Sequence, residues 1–209
     1  ALKMWWNELP SFWKSLLAEQ TNMSINPSKE ELHSIINIRS LKLNHFIHDA
    51  EPLSRLTNID NLDLSDTKID DLSPLSVLHN LKTLNVSNTT ISDLTPLSHN
   101  HNLRESNIEN TEVQSLKPLH GLSNLVKIYA EGMNLSSEEV YELKKNQRQL
   151  TVIYQTEDLR DWWENLGDTW RDILTSHVTC NTNPTAEQLQ AIVDLEEIVV
   201  DPIYQVETL

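Results

Sequence analysis

The chain has 209 residues, of which 38% are hydrophobic and 22% charged. Its formal net charge of −15 argues against nucleic-acid binding, because the phosphate backbone is bound by clustered Lys and Arg side chains. The same acidity favours a basic partner, although the simpler explanation is that it keeps the chain in solution. No run of about 18 or more apolar residues occurs, so we predict no membrane insertion, and the single cysteine, Cys180, excludes an internal disulfide.

The first 37 residues are predicted to form a helical cap (1–37). Trp6 and Trp13 fall on one helical stripe, which favours packing in a core over a partner surface. Ser28 and Glu31 have the spacing of a capping box, which predicts the start of a further helix. Such a cap covers the edge and the core that the first strand of a stacked array would otherwise expose.

A repeat of about 22 residues runs through residues 38–156. It is clearest in Ile59–Asn80, IDNLDLSDTKIDDLSPLSVLHN, and in Leu81–Asn102, LKTLNVSNTTISDLTPLSHNHN. Alternating apolar and polar positions early in each copy predict a short strand with one buried face. The proline-containing return leg predicts a short helical turn capped by Ser73 or Thr95. Because one copy cannot bury its own apolar edge, the copies must stack into a parallel sheet.

Some positions depart from the repeat. Ser106 stands where a core leucine is expected, and Asn100 replaces the residue equivalent to Leu78. The last full copy is longer than the others. There we predict a helix over residues 137–147 and a strand over residues 150–156.

The repeats resemble the leucine-rich repeat family. The pattern L-x-x-L-x-L-S-x-T-x-I-x-D-L-x-P-L is matched almost position by position at Ile59–Leu75 and Leu81–Leu97. This spacing is similar to the 22-residue class of bacterial internalin-like proteins. The resemblance implies an α/β fold, namely a right-handed solenoid with a parallel concave sheet and a Trp-rich helical cap at its start. It also implies a non-catalytic protein that binds another protein on the concave sheet.

The cap pattern returns 157 residues later. At this offset the three tryptophans of the first cap align with three further tryptophans: Trp162, Trp163 and Trp170. Thr185 with Gln188 repeats the capping box. We therefore predict a second helical cap over residues 157–194 and the start of an incomplete further repeat over residues 195–209. We expect that repeat array to continue beyond Leu209; the alternative is that the second cap seals the far end of the first array.

The outward-facing positions of the predicted strands form a polar, acidic surface. The repeat alignment places Tyr129 and Tyr154 in one row, and tyrosine gives large contact area at little entropic cost. We predict an unidentified protein or peptide ligand on this face, bound by Asp63, Asn85, Asn107, Glu109, Tyr129, Glu131 and Tyr154. The alternative is that Tyr129 and Tyr154 pack under the second cap.

The sequence contains no Gly-rich phosphate loop, no H-E-x-x-H and no nucleophile elbow, so we predict no enzymatic activity and no cofactor. Asp71 and Asp93 recur at one repeat position, unlike a catalytic pair. His79 and His101 also lie one repeat apart, but no clear carboxylate stands at ligand spacing, so we predict no metal site. The alternative to a binding protein is a structural or regulatory spacer module of a larger multi-domain protein.

Overall fold

The computed structural model describes residues 2–43 and 45–195. Helices stand at both ends of this range, and the repeats lie between them. The N-terminal helices are α1 (Leu2–Glu8), α2 (Ser11–Thr21) and α3 (Lys29–Ile35). The later helices are α4 (Ser137–Lys144), α5 (Thr156–Asn165), α6 (Asp168–His177) and α7 (Ala186–Val193). None of these helices is long and apolar enough to cross a membrane.

The capping signals read from the sequence are confirmed at both ends. The Ser28 hydroxyl accepts the Glu31 N–H, and the Glu31 carboxylate accepts the Ser28 N–H at 2.6 Å, which fixes the start of α3. The same reciprocal pair, made by Thr185 and Gln188, starts α7. Ser136 accepts the N–H of Glu139 at the start of α4.

The N-terminal helices share one continuous core with the repeats. Trp13, Leu17 and Ile35 are fully buried in the same cluster as the repeat leucines. The Trp13 indole N–H also donates to the carbonyl of Asp49, 3.3 Å away in the first coil. The stripe predicted from helical spacing is therefore core, as expected.

The repeats form a six-stranded parallel sheet whose strands follow one another in chain order. The strands are β1 (Ser40–Lys42), β2 (Asn61–Asp63), β3 (Thr83–Asn85), β4 (Glu105–Asn107), β5 (Lys127–Tyr129) and β6 (Thr151–Ile153). Their central residues pair in register and point into the core: Leu41, Leu62, Leu84, Ser106, Ile128 and Val152. Stacking of equivalent coils thus buries the apolar edge that no coil could bury alone.

The return legs are short 3-10 turns rather than α-helices. They span Glu51–Arg55, Ser73–Val77, Thr95–His99 and Lys117–Leu119, each with a proline in its first turn. The prediction that Ser73 and Thr95 cap these turns is wrong: no side-chain hydrogen bond caps either turn, and the carboxylates of Asp71 and Asp93 instead accept the N–H groups of Ser73 and Thr95, each at 2.8 Å. The next residues, Pro74 and Pro96, have no N–H group, so the backbone donors at the start of these turns are the N–H groups of Ser73 and Thr95. Hydrogen bonds from Ser73 and Thr95 lower the pKa of both carboxyls.

Two polar ladders join successive coils. Side-chain amides at one repeat position donate at 2.8–3.2 Å to a carbonyl of the preceding coil or, for the first of them, to that of Ile36 at the end of α3: Asn58, Asn80, Asn102 and Asn124. At a second position the backbone is left-handed, in Asp66, Asn88, Asn110 and Gly132. A Cβ at Gly132 would overlap Asn110 Oδ1, which explains the glycine there.

The strand of the last coil is shorter and differently registered than predicted. β6 ends at Ile153, and the helix α5 already begins at Thr156. Ile153, not Tyr154, is the partner of Tyr129. One residue fewer separates Leu150 from its strand than in earlier coils, and a one-residue slip moves each side chain to the opposite face.

Helices α5–α7 form a core of their own. Their buried residues, Trp163, Leu166, Leu174, Leu189 and Ile192, make a cluster separate from that of the repeats. Cys180 packs at the edge of this cluster, as Met23 does in the first cluster, and burial raises the pKa of the Cys180 thiol. We call residues 156–193 the C-terminal helical module. The further repeat predicted over residues 195–209 lies outside the described residues, apart from Leu195.

Candidate binding surface

The outward side of the sheet is polar. We call the outward side chains of β1–β5 the polar sheet face; they are Ser40, Lys42, Asn61, Asp63, Thr83, Asn85, Glu105, Asn107, Lys127 and Tyr129. A depression of about 370 Å³ lies over this face and ends at Tyr129. The parallel register explains this depression, because equivalent positions of successive coils place small or medium polar side chains next to one another.

Three of the predicted binding residues also shape the strand ends. The side-chain oxygens of Asp63, Asn85 and Asn107 each accept the N–H of the residue two positions later, at 3.0, 3.0 and 2.9 Å. Asn107 also donates to the carboxylate of Glu109 at 2.9 Å. These bonds hold the four side chains in fixed, half-buried positions along one edge of the polar sheet face.

Both lysines of the polar sheet face are already paired. Lys42 Nζ lies 2.8 Å from Asp63 Oδ2, and Lys127 Nζ lies 3.0 Å from a carboxylate oxygen of Glu187. Burial raises the pKa of Asp63, but hydrogen bonds from Lys42 and Ser65 outweigh it, so the net pKa is lowered.

Two carboxylates of this surface are not balanced by a cation. Glu105 is exposed and Glu109 is half-buried, and within residues 2–43 and 45–195 neither forms an ion pair. Because the neighbouring lysines are occupied, the uncompensated charge of the polar sheet face is negative.

The C-terminal helical module contacts the last strands of the face. Tyr129 Oη and Lys127 Nζ both donate to Glu187 Oε1 of α7, at 2.9 and 3.0 Å. The bond to Glu187 raises the pKa of Lys127, and burial together with that bond raises the pKa of Tyr129. Hydrogen bonds from Lys127 and Tyr129 lower the pKa of Glu187. The hydroxyl of Tyr129 is therefore held by the module.

The two remaining predicted residues lie at the junction with α5. The Glu131 carboxylate accepts the N–H of Thr156 through both oxygens, at 2.9 and 3.1 Å, and so caps the start of α5. Tyr154 is half-buried against the core of the repeats. The expectation that Tyr154 stands beside Tyr129 in one outward row is wrong, for the register reason given above.

Sequence reasoning missed Glu187. Its contacts with Lys127 and Tyr129 join residues 60 and 58 positions apart, so no local pattern marks it. His99 and His101, two of the histidines near the return legs, have ring centroids 6.3 Å apart. In the part of the chain that is described, no three His, Cys, Asp or Glu side chains are grouped to hold a metal ion.

Comparison with known proteins places these features in context. A family model described as "Leucine Rich repeats (2 copies)" matches residues 57–99. A search of curated proteins gave no match. Among solved structures, the chain is similar to an internalin C2 from Listeria monocytogenes, with a TM-score of 0.54 and 27% identity over 61% of this chain and 56% of that chain. An internalin from the same organism designated inlF gives a TM-score of 0.47 and 21% identity over 68% of this chain and 54% of that one. The chain thus spans only about half the length of either internalin.

Proposed function

We propose that this chain, a leucine-rich repeat protein structurally similar to Listeria internalins, is a non-catalytic scaffold that binds a protein or peptide on the polar sheet face. Leucine-rich repeats typically mediate protein binding, and folds of this kind are typically non-catalytic. The shape we propose is a right-handed solenoid with the sheet on its concave side. The strong right-handed preference of parallel crossover connections supports that hand.

The uncompensated carboxylates carry the proposal. Glu105 and Glu109 lie on or beside the depression, while Lys42 and Lys127 are neutralised by Asp63 and Glu187. A ligand with Lys or Arg side chains would supply the missing positive charge. Complementary charge of this kind speeds association and selects among partners.

Preorganisation of the face also supports binding. The turns after β2, β3 and β4 fix the side chains of Asp63, Asn85 and Asn107, and Thr83 donates to Asn61 across the strands at 2.7 Å. Side chains already held in one rotamer lose little entropy when a ligand arrives. Tyr129 offers its ring at one end of the depression, with its hydroxyl held by the helical module.

The seven predicted residues therefore take unequal parts in the proposed surface. Its centre is formed by Asp63, Asn85, Asn107, Glu109 and Tyr129, to which we add Glu105. Glu131 and Tyr154 border it at the junction with α5, where their side chains serve the fold.

Charge reversal on and off the face tests the proposal. The probe is an array of immobilised peptides sorted by Lys and Arg content. We expect the wild type to retain basic peptides, and Glu105→Lys with Glu109→Lys to weaken retention by about tenfold or more at low salt. Asp70→Lys with Glu112→Lys makes the same charge change at two exposed sites away from the sheet and should retain them. Equal loss in both proteins would assign binding to bulk acidity, and no retention by the wild type would contradict the proposal outright.

The spacer function stays as the second candidate because of one observation. The outward residues of β1–β4 are polar throughout, as a spacer surface should be, and Tyr154 does not add an aromatic ring beside Tyr129 because it is half-buried against the core. A spacer predicts that substitutions on the polar sheet face leave every interaction of the natural protein unchanged. Retention of basic peptides that depends on Glu105 and Glu109 favours the scaffold instead.

A further inference from the structure

The C-terminal helical module repeats the geometry of the N-terminal cap. The Trp163 indole donates to the carbonyl of Thr182 at 3.3 Å, as Trp6 donates to that of Ile25 at 3.1 Å. Both bonds span 19 residues and are offset by 157 residues, and the capping boxes of α3 and α7 share that offset. Residues of the two copies can therefore be compared one by one.

In the N-terminal copy the first repeat coil covers the apolar surface of the cap. Trp13, Leu17 and Ile35 are fully buried there, in one cluster with Leu41 and Leu43 of that coil. Burial of this kind is what makes a helical cap part of an array, since it joins the two cores.

The equivalent surface of the C-terminal module is an open apolar groove of about 400 Å³. Its lining includes Trp170, Leu174 and Ile192, the counterparts of the three buried cap residues. Val193 and Trp162 at its rim are 48% and 37% exposed. Leu174 and Ile192 are themselves buried, so the open part of the groove consists of Val193, Trp162 and the half-buried Trp170.

The module contacts the first array through another face. Glu187 in α7 pairs with Lys127 at 3.0 Å, and Asp194 just after α7 pairs with Lys144 at 2.5 Å. Gln190, which lies between Glu187 and Asp194 in the sequence, is buried. These three positions, spaced i, i+3 and i+7, share one helical face. Their counterparts in the first copy are all exposed: Glu30, His33 and Asn37. The capping surface is therefore not what holds the module to the first array.

We propose that the groove receives residues 196–209 of this same chain, which pack over it as the first coil of a further repeat. The chain reaches these residues directly from Leu195, which lines the groove. At the offset of 157, Ile198 and Val200 correspond to Leu41 and Leu43, and the alternation of strand side chains directs both to the groove. The C-terminal helical module is then a second start cap, and the domains are 1–37, 38–156, 157–194 and 195–209.

Neighbouring valines give a matched test in the full chain. Ile198→Asp and Val200→Asp place a charge on the groove side, whereas Val199→Asp places it on the opposite side of the strand. Amide hydrogen exchange of α6 and α7 is measured, with β1–β5 as the internal reference. We expect exchange in the helices to rise by about tenfold or more for the first two variants and to stay unchanged for Val199→Asp.

A substitution in the groove itself completes the experiment. Val193→Asp alters the rim from the other side and should raise exchange as Val200→Asp does, while the reference strands stay protected in both. Unchanged exchange in Ile198→Asp and Val200→Asp, or an equal effect of Val199→Asp, would overturn the proposal. Helix protection that increases with protein concentration would place a second copy in the groove and overturn it as well.

Discussion

Two buried amide side chains in the repeats are satisfied through their N–H groups, while their oxygens have no hydrogen-bond partner among the described residues. Asn100 is fully buried and donates to the carbonyls of Leu75 and Leu78, at 3.1 and 2.9 Å. Gln147, at the equivalent place in the longer coil, donates to Leu119 and His120 in the same way. An amide fits a leucine position here because the preceding coil presents carbonyls to it.

Ser106 lacks such compensation, and we predict that its hydroxyl lowers stability. In the described part of the chain, its buried Oγ has no hydrogen-bond partner. Ser106→Ala should raise the free energy of unfolding by about 1 kcal/mol, because it removes an unsatisfied group. Ser65→Ala is the matched control, since the Ser65 hydroxyl donates to Asp63 at 2.6 Å, and it should lower stability by about 1 kcal/mol. Urea denaturation measures both; equal destabilisation would show that Ser106 has a partner such as a bound water.

At the scale of elements, α7 is fastened to the sheet by polar contacts. Lys127, Tyr129 and Glu187 meet at one carboxylate oxygen, and Lys144 pairs with Asp194 just after the helix. The N-terminal helices are instead fused to the sheet by apolar burial. Contacts of the first kind respond to pH and salt far more than contacts of the second kind.

The docking of α7 should therefore weaken in acid. The lowered pKa of Glu187 means that its contribution is present above about pH 4.3 and is lost as the pH falls through the lowered value. The raised pKa of Lys127 means that its contribution is present below about pH 10.4 and is lost as the pH rises through the raised value. Between these limits we expect a constant contribution of less than about 1 kcal/mol, because the pair is partly exposed.

Calorimetry of the helical module measures this effect. Glu187→Gln should lower the melting temperature of the module near neutral pH, and the difference from wild type should vanish once the pH has fallen through the lowered pKa of Glu187. Glu164→Gln, at an exposed site of α5, serves as the control and should leave the melting temperature unchanged. A difference between Glu187→Gln and wild type that persists in strong acid would contradict the electrostatic account.

At the scale of the whole molecule, residues 2–43 and 45–195 form two separate cores. One runs from the N-terminal helices through the repeats, and the other lies within the C-terminal helical module. A helical unit of roughly 40 residues is only marginally stable by itself. We therefore expect two unfolding transitions, with the module unfolding first.

Substitution in each core separates the transitions. Leu189→Ala removes a fully buried side chain from the module core and should destabilise the module by about 2–5 kcal/mol while the repeats keep their transition. Leu84→Ala should act on the repeats instead. Hydrogen exchange resolved along the chain reports both. A single transition that moves with either substitution would show one cooperative unit.

The sequence alone determined the features that depend on neighbours along the chain. The period of about 22 residues predicted the stacked parallel strands and their buried rows, because strand side chains alternate and equal coils repeat every contact. The capping boxes that begin at Ser28 and Thr185 were also predictable from the sequence, because a capping box needs only one residue and the residue three positions later.

Only the tertiary structure decided how the last coil and the helical module meet. A one-residue difference before β6 turned Tyr154 toward the core, where it is half-buried, and put Ile153 beside Tyr129; no local signal marks that slip. The tie from Glu187 to Lys127 and Tyr129 depends on the angle at which α7 docks on the sheet. That angle results from packing between distant segments, so it is fixed only when both cores have formed.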